Sequence, residues 1–279
     1  MIQNSFLLFV LFLSVSLSAA PTREAFALEE RAESGIPVEA FELRDQNLKI
    51  ELWARSPMIF SPVAMDFDAK GRLWTTEGID YQRGMRIKEG RSIIVLEDKD
   101  WDGQADSSHV FVTEKEIRHA ALGIAVFDNR IVLSSTPSII VYTDVNRNAV
   151  FDKGVDKREV FLTGFRDASH DHTLHAVVGA PSGQWHFSYG NRGADIKTKD
   201  GRHHISGCYY GYSDGIGKKS SDGEVYVGGM TMRVNPDGTG LTPTGENMRN
   251  THDMFVSSFG DVYQSDNDDP AHARISWVM

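Results

Sequence analysis

The chain is poor in cysteine, in positive charge and in long apolar runs. A single Cys among 279 residues cannot form an internal disulfide, a CxxC pair or the CxxCH attachment of a c-type haem. Lys and Arg number 29 against 39 Asp and Glu, a net charge of −10. A surface of that sign repels phosphate backbones, which excludes nucleic-acid binding as the main role. No helix-length amphipathic run interrupts Leu48–Met279, so a βαβ architecture is disfavoured. Beyond the first twenty residues no stretch approaches the roughly 20 apolar residues of a membrane span. With 41% hydrophobic and 24% charged residues, the composition is that of a globular protein rather than a disordered one.

The N-terminus is different in character. Met1–Ala20 carries no charge, and Phe6–Leu17 is apolar except for two serines. That run is short for a spanning helix. It suits the apolar region of a secretory signal, followed by the small residues Ser18-Ala19-Ala20. Residues 1–20 read as a signal peptide, 21–47 as an N-terminal arm or linker, and 48–279 as the folded domain. The expected location is secreted or periplasmic.

The remainder is β in texture. Four segments share one pattern of apolar run, tight turn and second run. Their turns lie at Asp68–Gly71, Asp128-Asn129, Pro181–Gly183 and Ser257–Gly260. Asp, Asn, Ser and Gly tolerate the backbone conformations that hairpins need. A second repeat sharpens the first. Ile94-Val95-Leu96-Glu97-Asp98 recurs 46 residues later as Ile140-Val141-Tyr142-Thr143-Asp144. Each copy is followed by an Asx-rich loop and another strand. A period of about 40–50 residues with four strands per unit is that of a propeller blade. The fold class expected is all-β, a β-propeller of the six-bladed type. It is expected to be incomplete, truncated at the C-terminus, with about four to five blades present.

The two Asx loops have the spacing of cation-binding loops. Asp98, Asp100, Asp102 and Asp106 occupy positions 1, 3, 5 and 9, with Gly103 at position 6. That arrangement wraps oxygens round a hard cation such as calcium, and Gly permits the sharp bend. The second copy, Asp144, Asn146, Asn148 and Asp152, has two fewer charges and Ala149 where the first has Gly. It is the weaker calcium candidate. The alternative for both is an Asx turn that caps a hairpin without metal.

Six of the ten histidines fall between 170 and 204. Zinc or copper at His170, His172 and Asp195 matches no established ligand spacing. His175 and His186 read as strand residues facing neighbours. Gly211-Tyr-Ser-Asp-Gly215 matches a hydrolase elbow, but the residues after it would make a poor helix, so the motif is set aside.

Several stretches carry a resemblance. They are Asp171-His172 with Pro181-x-Gly183-Gln-Trp-His-Phe-Ser-Tyr-Gly190, Arg233-Val-Asn-Pro-Asp-Gly238, and Arg249-Asn250 with Gly260-Asp-Val-Tyr263. Together they resemble the soluble quinoprotein glucose/sorbosone dehydrogenases. The run from Leu48, with Asp66-Phe-Asp68-x-x-Gly71-Arg72-Leu73-Trp74 and Ser265-Asp-Asn-Asp268, is similar to the propeller domain of large secreted proteins of planctomycetes and verrucomicrobia known as membrane-bound dehydrogenases. The resemblance implies oxidation of a sugar or alcohol by hydride transfer to pyrroloquinoline quinone (PQQ), with calcium. It implies His172 as general base, Asp171 as its orienting partner, and Arg249 and Asn250 as quinone contacts. The larger relatives carry a haem domain, which the lone Cys208 cannot supply here. The implied electron acceptor is therefore a separate c-type cytochrome. Two other readings stay open: a non-catalytic propeller that binds carbohydrate or a protein, and a propeller lactonase or hydrolase.

Overall fold

The computed structural model describes residues 22, 23, 25, 38–78, 87–117, 121–166, 172–208, 216–268 and 272–278. The proposed signal peptide, Asp171 and the Gly211–Gly215 motif lie outside these residues. The protein is all-β. A 3-10 turn, Val38–Ala40, precedes the first strand.

The first blade is an antiparallel sheet of β1 (Pro62–Phe67), β2 (Leu73–Glu77), β3 (Arg91–Glu97) and β4 (Ser107–Glu114), in that order. The second repeats it with β5 (Gly123–Phe127), β6 (Arg130–Ser135), β7 (Ser138–Thr143) and β8 (Lys157–Phe165). The third begins with β9 (Leu174–Gly179) and β10 (Trp185–Tyr189). The chain then leaves it. Strands β11 (Ala194–Lys197), β12 (His204–Cys208) and the short β13 (Tyr226–Val227) add to the outer edge of the second blade, β11 pairing with β8. The chain returns with β14 (Gly229–Val234) and β15 (Thr242–Met248) to complete the third blade. Strands β16 (Asn250–Val256), β17 (Val262–Asp268) and β18 (His272–Val278) form a fourth sheet. The described residues thus make four blades. An average blade length predicts about five, because the β11–β13 excursion uses residues that build no new blade.

The strand sequences follow from this stacking. Middle strands such as β2, β3, β6, β7 and β10 are buried almost throughout. They lie between two neighbours, so both of their faces are apolar. Trp74, Val95 and Phe111 of the first blade meet Ile124, Leu133 and Tyr142 of the second. Val141 and Phe161 of the second meet Trp185, Phe187 and Met232 of the third. Trp185 stacks on Phe127 with ring centroids 5.3 Å apart and lies 5.1 Å from Phe161. The third and fourth sheets meet through the smaller cluster Ala176, Met254 and Val262.

The two ends of the stack differ. The outward face of the first blade is covered by the preceding segment, through Trp53, Ala54, Met58 and Ile59 against Leu73, Ile94 and Leu96. The outward face of the fourth sheet leaves Phe255, Tyr263, Ile275 and Trp277 exposed.

The Asp-x-x-Gly-Arg-Leu-Trp motif at the first hairpin has a physical reason. The Asp68 carboxylate accepts from the backbone N–H groups of Lys70 and Arg72, from Arg72 Nε at 2.7 Å and from Trp74 Nε1 at 3.0 Å. Gly71, at φ +79°, leaves room for the Trp101 ring, which a Cβ would meet at 2.6 Å. Burial raises the Asp68 pKa, but the bonds from Trp74, Arg72 and Lys70 outweigh it and hold the carboxyl below the usual carboxylate range. A depressed pKa stabilises the fold above the unfolded value near 3.9, and that stability is lost as pH falls through the folded value. We expect Asp68→Asn to lower stability at pH 7 by about 2 kcal/mol, since hydrogen bonds to charged groups contribute about 1.5–3 kcal/mol. Urea unfolding of D68N should also show a weaker loss of stability than wild type below about pH 4.

Candidate functional site

The hairpin turns Asp68–Gly71, Asp128-Asn129, Ala180–Gly183 and Ser257–Gly260 all fall at one end of the sheets, set by the antiparallel pairings. Both Asx loops lie at that end. Leu96, just before the first loop, pairs with Leu73, just after the first turn. Asp144 donates its N–H to Asn129 O at 2.8 Å. His172, Arg249 and Asn250 lie at the opposite end, where β9 and β16 begin and where β10 finishes.

There the structure brings together three of the residues singled out by sequence. His172 is buried, and its Nδ1 lies 2.9 Å from Asn191 Oδ1. An amide oxygen only accepts, so Nδ1 carries a proton in this contact. The Asn191 N–H donates to Arg249 O at 2.7 Å. Arg249 Nη1 donates to Asn267 Oδ1 at 2.8 Å. The buried Asp266 fixes the corner by accepting from the backbone N–H groups of Arg249 and Asn250 and from Arg274 Nη2. Asn250 is itself buried, and its Oδ1 has no hydrogen-bond partner. Gly190 makes this packing possible, because a Cβ there would sit 2.7 Å from the His172 carbonyl carbon.

Asn191 and Asp266 are the positioning residues that sequence reasoning missed as such. Asp171 was the expected orienting partner of His172, and it lies outside the described residues; the Nδ1 partner among them is Asn191. Only the turn-forming Gly190-Asn191 pair after an apolar strand could have signalled it. Asp195, considered with His172 for a transition metal, is engaged elsewhere: its carboxylate pairs with His204 and Lys218 on the added hairpin.

The first Asx loop brings Asp98, Asp100 and Asp106 together, with one carboxylate oxygen from each within 4.8 Å of the others. Asp102 is not in this cluster; its carboxylate accepts from the Gln104 N–H. Asp98 Oδ2 accepts from the Gly103 N–H, and Asp98 Oδ1 is buried without a partner. The second loop has the same backbone. Trp101 and Arg147 at position 4, and Gly103 and Ala149 at position 6, all have positive φ. Asp144 Oδ2 accepts from the Ala149 N–H, as Asp98 does from Gly103. The interior differs. Asn146 Nδ2 and Asn148 Nδ2 both donate to Asp152 Oδ2, at 2.7 and 2.8 Å. Two donors thus point where a cation would need acceptors.

A cavity of about 630 Å³ runs between the four inner strands β1, β5, β9 and β16. Its walls include Met65, Phe67, Ile124 and Val178, with Asp66, His252 and Asp253 as polar groups. The His252 ring lies 5.7 Å from that of the buried His175.

Antiparallel blades stacked radially round a channel define a β-propeller. The PQQ-bound aldose sugar dehydrogenase of Streptomyces coelicolor shares the fold, with TM-score 0.52 and 14% identity over 79% of this chain and 60% of that one. An iodide structure of a Trichoderma reesei carbohydrate-active enzyme of family AA12 gives TM-score 0.50 and 13% identity over 79% and 52%. A calcium structure of Trichoderma reesei family AA12 gives TM-score 0.50 and 12% identity over the same shares. The chain therefore spans 52% to 60% of the length of these structures. No curated protein matches the sequence. Residues 38–277 match the model of DUF7133, a domain of unknown function, and the chain belongs to that family.

The geometry makes Asn191 the anchor of the His172 tautomer. We expect Asn191→Leu to cost about 1–3 kcal/mol, the desolvation penalty of a buried donor that loses its acceptor. Urea unfolding measures the loss. The ¹⁵N spectrum of the His172 ring should change from one tautomer to a mixture.

Proposed function

We propose that the chain is the propeller of an exported quinoprotein that oxidises a sugar or another alcohol, with His172 as base. The observation that carries this reading is the chain of contacts from His172 through Asn191 to the Arg249–Asn250 corner. It sets an imidazole beside a cationic and amide-bearing corner where β9 and β16 begin. The donor set fits an anionic quinone. Arg249 offers charge and hydrogen bonds to carboxylates or quinone oxygens, and the buried Asn250 Oδ1 could accept from an N–H of the cofactor. PQQ, when bound, supplies a two-electron acceptor for hydride from the carbinol carbon. The chain's own part is to bind and to move the proton. His172 Nε2 takes the substrate hydroxyl proton, and the Nδ1–H bond to Asn191 orients the ring. Arg249 and Asn250 hold the cofactor's polar edge. Cys208 is buried on β12, and the electrons pass to a separate acceptor such as a c-type cytochrome. Calcium, in this reading, binds the first Asx loop through Asp98, Asp100 and Asp106, at the other end of the blades from His172. Its role there is structural.

The test of catalysis is reconstitution with PQQ and calcium, followed by dye reduction with aldoses. Wild type should turn over, and His172→Asn should fall by about 10²–10⁴-fold, the usual contribution of a general base. A folded wild-type chain that neither perturbs the PQQ spectrum nor reduces dye would rule the reading out and favour a non-catalytic carbohydrate-binding propeller. The calcium assignment is tested separately. Calcium should raise the Tm of wild type, because a ligand that binds only the folded state stabilises it. It should leave D98N unmoved.

A further inference from the structure

A second cleft lies between the third and fourth blades, at the hairpin-turn end and away from His172. Its volume is about 270 Å³, and its lining includes Pro181, His186, Arg233, Thr244, Val262 and Val278. His186 on β10 and Arg233 on β14 are cross-strand partners in the antiparallel pair, so their side chains share one face. That face looks toward the fourth sheet, because the residues beside them, Trp185, Phe187, Met232 and Val234, point into the core shared with the second blade.

Among the described residues, His186 Nδ1 and the Arg233 charge lack a counterpart. His186 is 94% buried, with 6% relative exposure, and its Nδ1 has no hydrogen-bond partner. Arg233 is exposed at the rim of the cleft and makes no ion pair among the described residues. In a chain of net charge −10, the lining of this cleft carries Arg233 and no carboxylate. The rest of the lining is largely hydrocarbon, from Ala180, Pro181, Val262 and Val278. Burial first, and the Arg233 charge second, hold the His186 imidazole below the usual histidine range. Burial thus favours the neutral ring, which offers a hydrogen bond rather than a second charge.

We propose that this cleft is a binding site for a short-chain aliphatic carboxylate. The planar Arg233 fork takes the carboxylate in bidentate fashion. The imidazole of His186 supplies one further polar contact, and the valine and proline surfaces take the hydrocarbon tail. The volume is just below that of sites for drug-sized ligands, which run from about 300 Å³. Inorganic phosphate shares the charge but has no tail for the apolar wall, so it is the weaker ligand.

The experiment titrates the full chain with butyrate, and in parallel with inorganic phosphate, while following the His186 ring by NMR and the Tm. Butyrate should saturate at millimolar concentration, shift the His186 ring signals and raise the Tm. Arg233→Gln should weaken butyrate binding about tenfold or more, the cost of a lost charge-assisted pair. Arg233→Lys keeps the charge without the fork and should fall between the two, which also covers a failure of R233Q to fold. Arg202→Gln removes the same charge from the exposed turn of the added hairpin and should bind as wild type does. Failure of butyrate to saturate, equal weakening by R233Q and R202Q, or tighter binding of phosphate than of butyrate would each overturn the proposal.

Discussion

A sheet with two apolar faces has no stable state alone, and that constraint organises this protein. Each blade is three to four strands of alternating sequence, far too small to bury its own surface. Stability comes from pressing one blade against the next. The middle strands therefore lose the alternation of a half-exposed sheet and become nearly continuous apolar runs, as in Arg91–Glu97 and Ser138–Thr143. Burying one large side chain is worth about 1.5–3 kcal/mol, and the interface between the second and third blades holds Phe161, Trp185, Phe187 and Tyr189 together. The same rule makes the covered first face and the bare last face opposite solutions to one problem. Trp53 and Met58 close one face. Phe255, Ile275 and Trp277 on the other show how apolar a blade face is before anything covers it.

Blades packed so closely leave the connecting loops little room, and carboxylates hold those loops. Asp66 of the first blade accepts from the Val126 N–H of the second, at 2.7 Å. Asp68, Asp144 and Asp266 each gather two or more donors at a turn or corner. Part of the acidic balance is thus internal scaffolding. A buried backbone N–H must find an acceptor, and a short carboxylate reaches several at once. Ala149 shows how strongly this scaffolding acts. It takes the left-handed conformation that Gly103 takes in the first loop, at a cost of about 1–2 kcal/mol for a residue with a Cβ. The loop keeps its shape because Asp144 holds the Ala149 N–H as Asp98 holds that of Gly103.

These features decide what the sequence could reveal. All four hairpins were legible, because tight turns demand Gly, Asn, Asp or Ser at fixed places. The 46-residue recurrence was legible for the same reason, and it is the structural repeat of β3 and β7 with their loops. The added edge β11–β13 was not. Alternation marks a strand but not the sheet edge it joins, so Ala194–Lys197 reads equally well as part of a new blade. Within the candidate site, His172, Arg249 and Asn250 were legible as residue types with chemistry. Their link through Asn191 was not, since it depends on a contact across 19 residues that a single sequence does not encode. The difference between the two Asx loops was half legible. The missing charges could be read, but the inward turn of the Asn146 and Asn148 amides is a matter of geometry.

The separation of the two ends follows from the same architecture. Every blade has one end built from tight turns and one where the chain passes between blades. Tight turns concentrate carboxylates and backbone amides in fixed geometry, which suits a structural cation. At the crossing end the chain passes from one blade to the next, as from Met248 of β15 to Asn250 of β16, so side chains of neighbouring blades meet there. His172 precedes β9, Asn191 follows β10, and Arg249 and Asn250 open β16, yet they meet at one corner. The crossing end thus sets residues distant in sequence against one another, from His172 to Arg249. Chemistry that needs a base and a cationic anchor within one substrate's reach therefore belongs at that end. Sites lodged between blades near the turns, such as the His186–Arg233 cleft, are limited to what a single pair of neighbouring blades can provide.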